Sequence, residues 1–275
     1  MRIDSHQHFW KYNPVKDAWI TENMKVIQRD FLPSDLHSLL KETQIDGCVA
    51  IQADQSEDET HFLLQLAERN DFIKGVVGWV DLRGENVESS LGYFSQFKKL
   101  KGFRHIVQGE KEDDFLLRYD FCNGIAQLEK YNFTYDLLIF PKHLAVAYKF
   151  AQKFPKQKMV IDHLAKPNFK EADFADWEQG IRAIASCQNV YCKVSGLVTE
   201  ADWNNWNESD FNYCLDVLTE AFGIERLMFG SDWPVTLLAA TYNQSCDIVK
   251  NYFSKFSIEE QDMIWGKNAV TFYNL

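Results

Sequence analysis

His6 and His8 close an apolar N-terminal run and are separated by one residue. In an extended chain successive side chains alternate, so both imidazoles share one face and Gln7 takes the other. Such a pair can hold a divalent ion or a substrate oxygen; two satisfied polar residues at a sheet rim would read the same way. Asp162-His163 follows the apolar Met159-Val160-Ile161, and Gly230-Ser231-Asp232-Trp233-Pro234 follows Leu227-Met228-Phe229. An Asp just past a strand can serve as a general base, or only cap the helix that follows. Arg104 and His105 lie inside the apolar stretch Gly102–Val107, where an Arg needs an anionic partner. Gln52, Asp136, Lys193 and Ser195 fall near the ends of other apolar runs.

These residues must be positioned by short apolar, β-branched segments separated by amphipathic ones. The strands expected are Arg2–Phe9, Gly47–Gln52, Gly75–Val80, Gly102–Val107, Phe133–Ile139, Met159–His163, Val190–Ser195 and Leu227–Gly230. Between them the 3.6-residue period places Phe62, Leu63, Leu66 and Ala67 on one face, and Phe174, Trp177, Ile181 and Ile184 on another. Ser257 and Glu260 form a capping box before the last helix. Eight strands alternating with helices in 275 residues fit an α/β protein built as a single (β/α)8 TIM barrel, with residues 1–275 as one domain. No Gly-x-Gly-x-x-Gly follows the first strand, which argues against a dinucleotide fold. In a barrel, groups at the C-terminal ends of strands meet at one mouth. His6, His8, His163 and Asp232 are all of that kind. Lys11 to Pro33, with Trp19, Met24 and Phe31, reads as an ordered loop over that mouth. His37, His61 and His143 read as packing or surface residues.

Composition narrows the partners. There are 29 Lys and Arg against 40 Asp and Glu, a formal charge of −11. That argues against a nucleic-acid backbone or an anionic membrane as the main partner, because phosphate binding needs clustered cations. No apolar run reaches the ~18 residues of a membrane span. No apolar leader follows Met1-Arg2-Ile3-Asp4, and the six cysteines are scattered without a Cys-x-x-Cys. Reduced thiols in a cytoplasmic protein are the expectation. Oligomeric state leaves no trace in the sequence.

Taken together, Asp4-Ser5-His6-Gln7-His8-Phe9-Trp10, Asp30-Phe31-Leu32-Pro33, Gly102-Phe103-Arg104-His105, Ile161-Asp162-His163-Leu164-Ala165-Lys166-Pro167, Phe229-Gly230-Ser231-Asp232-Trp233-Pro234 and Gly266-Lys267-Asn268-Ala269 resemble the amidohydrolase superfamily. The likeness is to its amidohydrolase-2 branch of sugar-lactone hydrolases, and it runs through almost the whole chain. The resemblance implies a TIM barrel that hydrolyses a cyclic ester, such as a lactone of L-fuconate or L-rhamnonate or a pyrone dicarboxylate. It implies roles for His6, His8, Arg104, His163 and Asp232. Binuclear relatives carry a bridging Lys or Glu and a strand-5 His; the segment Phe133–Leu138 here has none of these. At most one divalent cation is therefore expected, zinc favoured, on His6, His8 and Asp232, with activity not certain to require it.

The chemistry fits that reading. Asp232 would take a proton from water and return it to the leaving ring oxygen, while His163 and Arg104 donate to the developing oxyanion. Trp10, Trp19 and Trp233 are candidates to stack on a sugar ring, and Gln52, His105 and Lys193 to bind its hydroxyls. A single-metal decarboxylase and an amide hydrolase are the competing activities.

Overall fold

The computed structural model describes residues 1–275. Eight parallel strands follow one another in a single sheet: β1 (Ile3–Gln7), β2 (Gly47–Ile51), β3 (Ile73–Gly78), β4 (Leu100–His105), β5 (Thr134–Leu137), β6 (Met159–Ile161), β7 (Val190–Val194) and β8 (Leu227–Phe229). The ring closes between β1 and the turn after β8, where His8 N–H donates to Trp233 O (2.7 Å) and Asp232 N–H to His6 O (2.8 Å). The helices are α1 (Pro33–Glu42), α2 (Glu57–Arg69), α3 (Val87–Phe94), α4 (Tyr119–Leu128), α5 (Leu144–Lys153), α6 (Ala175–Ala185), α7 (Asn212–Phe222) and α8 (Tyr242–Phe253). They place their apolar stripes on the outside of the barrel, as the periodicity required. Leu63 and Ala67 of α2 and Trp177, Ile181 and Ile184 of α6 are buried there. The capping box forms: Ser257 Oγ accepts from Glu260 N–H and Ser257 N–H donates to Glu260 Oε2 (2.9 Å).

Several strands end earlier than their apolar runs suggested. β6 stops at Ile161 and β8 at Phe229, before the reactive residues rather than on them. His163 and Asp232 instead stand on non-strand backbone.

Inside the barrel lie two layers. The lower is apolar: Ile3, Val49, Ile51, Val77, Val160 and Met228 pack against Ala269, Phe272 and Tyr273 from the terminal helix Asn268–Tyr273. The upper is polar and holds His6, Arg104, Asp136, Asp162 and Lys193, all buried. The segment 11–33 is ordered by an antiparallel bridge between Trp10 and Phe31 and by Trp10 Nε1–H donating to Arg29 O (2.9 Å). No helix is long and apolar enough to cross a membrane.

Candidate active site

β1 delivers both histidines into the barrel. Its register against β2 shifts between Asp4 and Gln7. Asp4 turns to the outer helix α8, accepting from Tyr242 OH (3.1 Å), while His6 and His8 turn inward with their Nε2 atoms 3.2 Å apart. His8 Nδ1 lies 2.8 Å from Ile51 O and must donate to it, which leaves the Nε2 lone pair facing the cavity. His6 Nδ1 faces Asp162 Oδ1 (3.2 Å) and Lys193 Nζ (3.1 Å).

Asp232 and His163 arrive on left-handed backbone. Asp232 has φ +58°, and His163, Leu164, Ala165 and Lys166 form a run at +53° to +57°. Each such non-glycine residue costs on the order of 1–3 kcal/mol, so the surroundings must impose it. They do so with Trp177 Nε1–H on Leu164 O (2.6 Å) and Lys166 N–H on His163 O (2.6 Å). Around Asp232, Ser231 N–H and Oγ–H both donate to Asp4 (2.9 and 2.6 Å). The Asp232 carboxylate caps no backbone N–H. Its Oδ1 lies 3.5 Å from His8 Nε2, 3.8 Å from His163 Nε2 and 3.9 Å from His6 Nε2.

Electrostatics fix the protonation states. Burial would raise the Asp232 carboxyl, but His163 and His8 outweigh it and hold it below the ordinary carboxylate value. Burial pushes His163 down to about 4 and His6 well below the usual imidazole range. Both rings are neutral at pH 7. Ser195 Oγ lies 2.9 Å from His163 Nδ1. A Ser195 hydroxyl that donates there keeps the ring proton on Nε2, aimed at Asp232 and the cavity.

His6, His8 and Asp232 fit a metal ion. A triangle of sides 3.2, 3.5 and 3.9 Å has its centre about 2.1 Å from each corner, a zinc–nitrogen or zinc–oxygen distance. The same three residues form the one group of His, Cys, Asp and Glu side chains close enough together for this. The neutral His6 ring and the ionised Asp232 carboxylate are ligand forms a cation needs. β5 adds Asp136, whose Oδ2 is taken by Lys193 Nζ (2.5 Å) and Tyr273 OH (2.8 Å).

Above these groups opens a cavity of about 310 Å³, lined among others by His8, Trp10, Trp19, Arg104, His163 and Asp232. Trp10 and Trp19 thus stand where an aromatic wall was expected. Four other assignments change. His105 points away from the barrel axis, one residue out of phase with Arg104; it bonds Glu110 Oε1 (2.6 Å) and stacks on Phe115. Trp233 is buried edge-on between Phe9 and Phe31. Lys193 lies beneath the floor, held by Asp136 and Asp162 (2.9 Å). Gln52 is fully buried, its side-chain oxygen accepting from Arg104 Nη2 (2.9 Å). None of the four lines the cavity. Arg104 does line it, yet its N–H groups are directed to Gln52, to Asp162 (3.0 Å) and to His6 Nε2 (3.3 Å) rather than into the open space.

Asp162 is the residue whose weight the sequence concealed. It joins Arg104, Lys193 and His6 in one buried network. Those three neighbours overcome the upward pull of burial and hold its carboxyl well below the usual value. Its signal was the inward parity it shares with Val160. Lys166, from the segment 161–167 that carries part of the resemblance, and Glu200 and Trp203, from a loop that carries no pattern of its own, also line the cavity.

The comparisons with known proteins agree with this architecture. The chain is 40% identical to an L-fucono-1,5-lactonase of Burkholderia multivorans, over 100% of its own length and 96% of the relative's. It is 31% identical to an L-fucono-1,5-lactonase of Burkholderia ambifaria, with the same coverage. A crystal structure of an amidohydrolase from Burkholderia multivorans with bound zinc superposes with a TM-score of 0.97 at 40% identity, covering 100% of this chain and 99% of that one. The amidohydrolase family profile matches residues 3–275, and the chain belongs to that family.

Proposed function

We propose that this chain hydrolyses an aldonolactone, such as L-fucono- or L-rhamnonolactone, to the free acid. The observation that carries the reading is the ionised Asp232 facing three buried imidazoles at the floor of a cavity of sugar size. The two full-length relatives named L-fucono-1,5-lactonase support the substrate class.

Asp232 accepts a proton from water as the water oxygen attacks the lactone carbonyl carbon. Its Oδ1 faces the histidines, and its second oxygen has no protein partner. His163, through Nε2–H, donates to the carbonyl oxygen as negative charge develops there; a donor in this role contributes about 2.7–4 kcal/mol. Arg104 acts through its fixed positive charge rather than a direct hydrogen bond. When the tetrahedral intermediate collapses, the ring C–O bond breaks and Asp232 returns the proton to the leaving oxygen. A divalent cation, zinc favoured, would be held by His6, His8 and Asp232 and would supply carbonyl polarisation and a more acidic water.

The test is acid release from L-fucono-1,5-lactone in a pH-indicator assay, with Asp232→Asn beside the unaltered protein. Loss of about 10²–10⁴-fold in the folded variant is expected for a general base. Near-normal turnover by that variant would remove Asp232 from the mechanism. Carbon dioxide release from an aromatic acid, with no lactone opened, would favour the decarboxylase.

A further inference from the structure

One part of the cavity wall takes no part in the chemistry above. Lys166, on the loop after β6, and Glu200, on the loop after β7, form an ion pair of 2.8 Å that faces the cavity. Their side chains are 17% and 25% exposed, so the pair is sheltered but reachable. Gln108, on the loop after β4, lines the same cavity. Its backbone N–H donates to Leu138 O (3.1 Å), but its amide bonds to nothing in the protein, and its oxygen is buried without a donor. A half-turn of that amide exchanges donor for acceptor, so it can serve either partner of a hydroxyl group.

The charge inventory is as informative as the contacts. The cations at this cavity are Arg104 and Lys166, and each already has a carboxylate, Asp162 and Glu200. No protein cation is left over for a carboxylate carried by the substrate, and Asp232 would repel one. A Lys–Glu pair offers an ammonium donor and a carboxylate acceptor side by side, the complement of two adjacent ring hydroxyls. Resting on the lactonase reading above, we infer that Lys166, Glu200 and Gln108 are the specificity-determining wall of this cavity. They read the non-reacting hydroxyls of a neutral, polyhydroxylated lactone and select it over unsubstituted and carboxylated lactones.

The experiment compares kcat/KM on L-fucono-1,5-lactone, δ-valerolactone and 2-pyrone-4,6-dicarboxylate for the unaltered protein, Glu200→Gln, Lys166→Met and Gln108→Leu, each checked for folding by its melting temperature. The unaltered protein should prefer the fuconolactone to both others. In Lys166→Met and Glu200→Gln the ratio of fuconolactone to valerolactone efficiency should fall about 10- to 100-fold, as expected for hydrogen bonds to charged groups, with the loss in KM. Gln108→Leu should lose about 2- to 10-fold, as for a neutral bond. An unchanged ratio, or a loss confined to kcat, overturns the assignment; so does more efficient opening of the dicarboxylate. If valerolactone turns over too slowly to measure, the split between KM and kcat on the fuconolactone decides alone. A protein that opens none of the three lactones refutes the lactonase reading itself, a separate outcome.

Discussion

Gly196→Ala is a one-carbon change whose cost can be worked out in advance. Gly196 has φ +66° and lies against the face of His163; a Cβ there would sit 2.6 Å from Nδ1, 2.8 Å from Cγ and 2.9 Å from Cβ of that histidine. The left-handed backbone alone costs a non-glycine residue about 1–2 kcal/mol. The clash adds about 1–3 kcal/mol of overpacking, since what it strikes is a ring and not a flexible tip. At about 2–4 °C per kcal/mol for a chain of this class, the melting temperature should drop by roughly 5–15 °C. The ring can give way only by leaving Ser195 Oγ, 2.9 Å from the same Nδ1. That shift moves Nε2 from its place beside Asp232, and a misplacement of about 1 Å can cost ~10²-fold in rate. Calorimetry and lactone turnover on one preparation read both effects. Gly109→Ala is the control: its nearest neighbour would be 3.6 Å away and its φ is not positive, so stability and rate should hold. Normal melting together with normal turnover in the Gly196→Ala protein would refute the claim that this glycine sets the His163 ring.

Asp162→Asn keeps the shape but leaves Arg104 and Lys193 short of a charge in the barrel interior; breaking a buried ion pair typically costs about 3–5 kcal/mol, so denaturant midpoints should fall, and an unchanged midpoint would show the network is dispensable. Metal analysis should find no more than one ion per chain, and His8→Ala should lower zinc affinity in a competition titration with a chromogenic chelator; two tightly bound ions would contradict the three-ligand site. Burial holds the His105 ring below the ordinary imidazole value despite Glu110. The unfolded chain therefore binds a proton there that the folded chain refuses as pH drops through ~6.5, so stability falls with falling pH across that window. His105→Gln should flatten that part of the pH–stability curve, and an identical slope would refute the point.

Much of this was legible from the residues. Apolar runs such as Met159-Val160-Ile161 marked strands buried on both faces, and reactive side chains just beyond them marked the mouth. What stayed hidden was phase and pairing. Arg104 and His105 are adjacent in sequence but face opposite sides of the sheet. Asp162 finds Arg104 58 residues away, and Lys166 finds Glu200 on a different loop. Trp233 looked like a sugar platform by its position after β8, yet the turn that presents Asp232 drives the indole into the packing beneath the segment 11–33. A strand's period gives direction only while the strand lasts, and both His163 and Asp232 lie past its end.

The lower end of the barrel is sealed. Phe272 and Tyr273 fill the opening from below, and the Tyr273 hydroxyl reaches Asp136 under the polar layer. A molecule therefore enters and leaves from the end of the barrel where Trp19 and Met24 line the cavity. Traffic is single-file: the newly formed acid must depart before another lactone enters. Once its new carboxyl ionises, the acid is an anion beside ionised Asp232, with the protein cations at this cavity, Arg104 and Lys166, already paired, so the reaction itself makes its product unwelcome. What residual inhibition the acid exerts should be competitive with the lactone, because both occupy the same chamber.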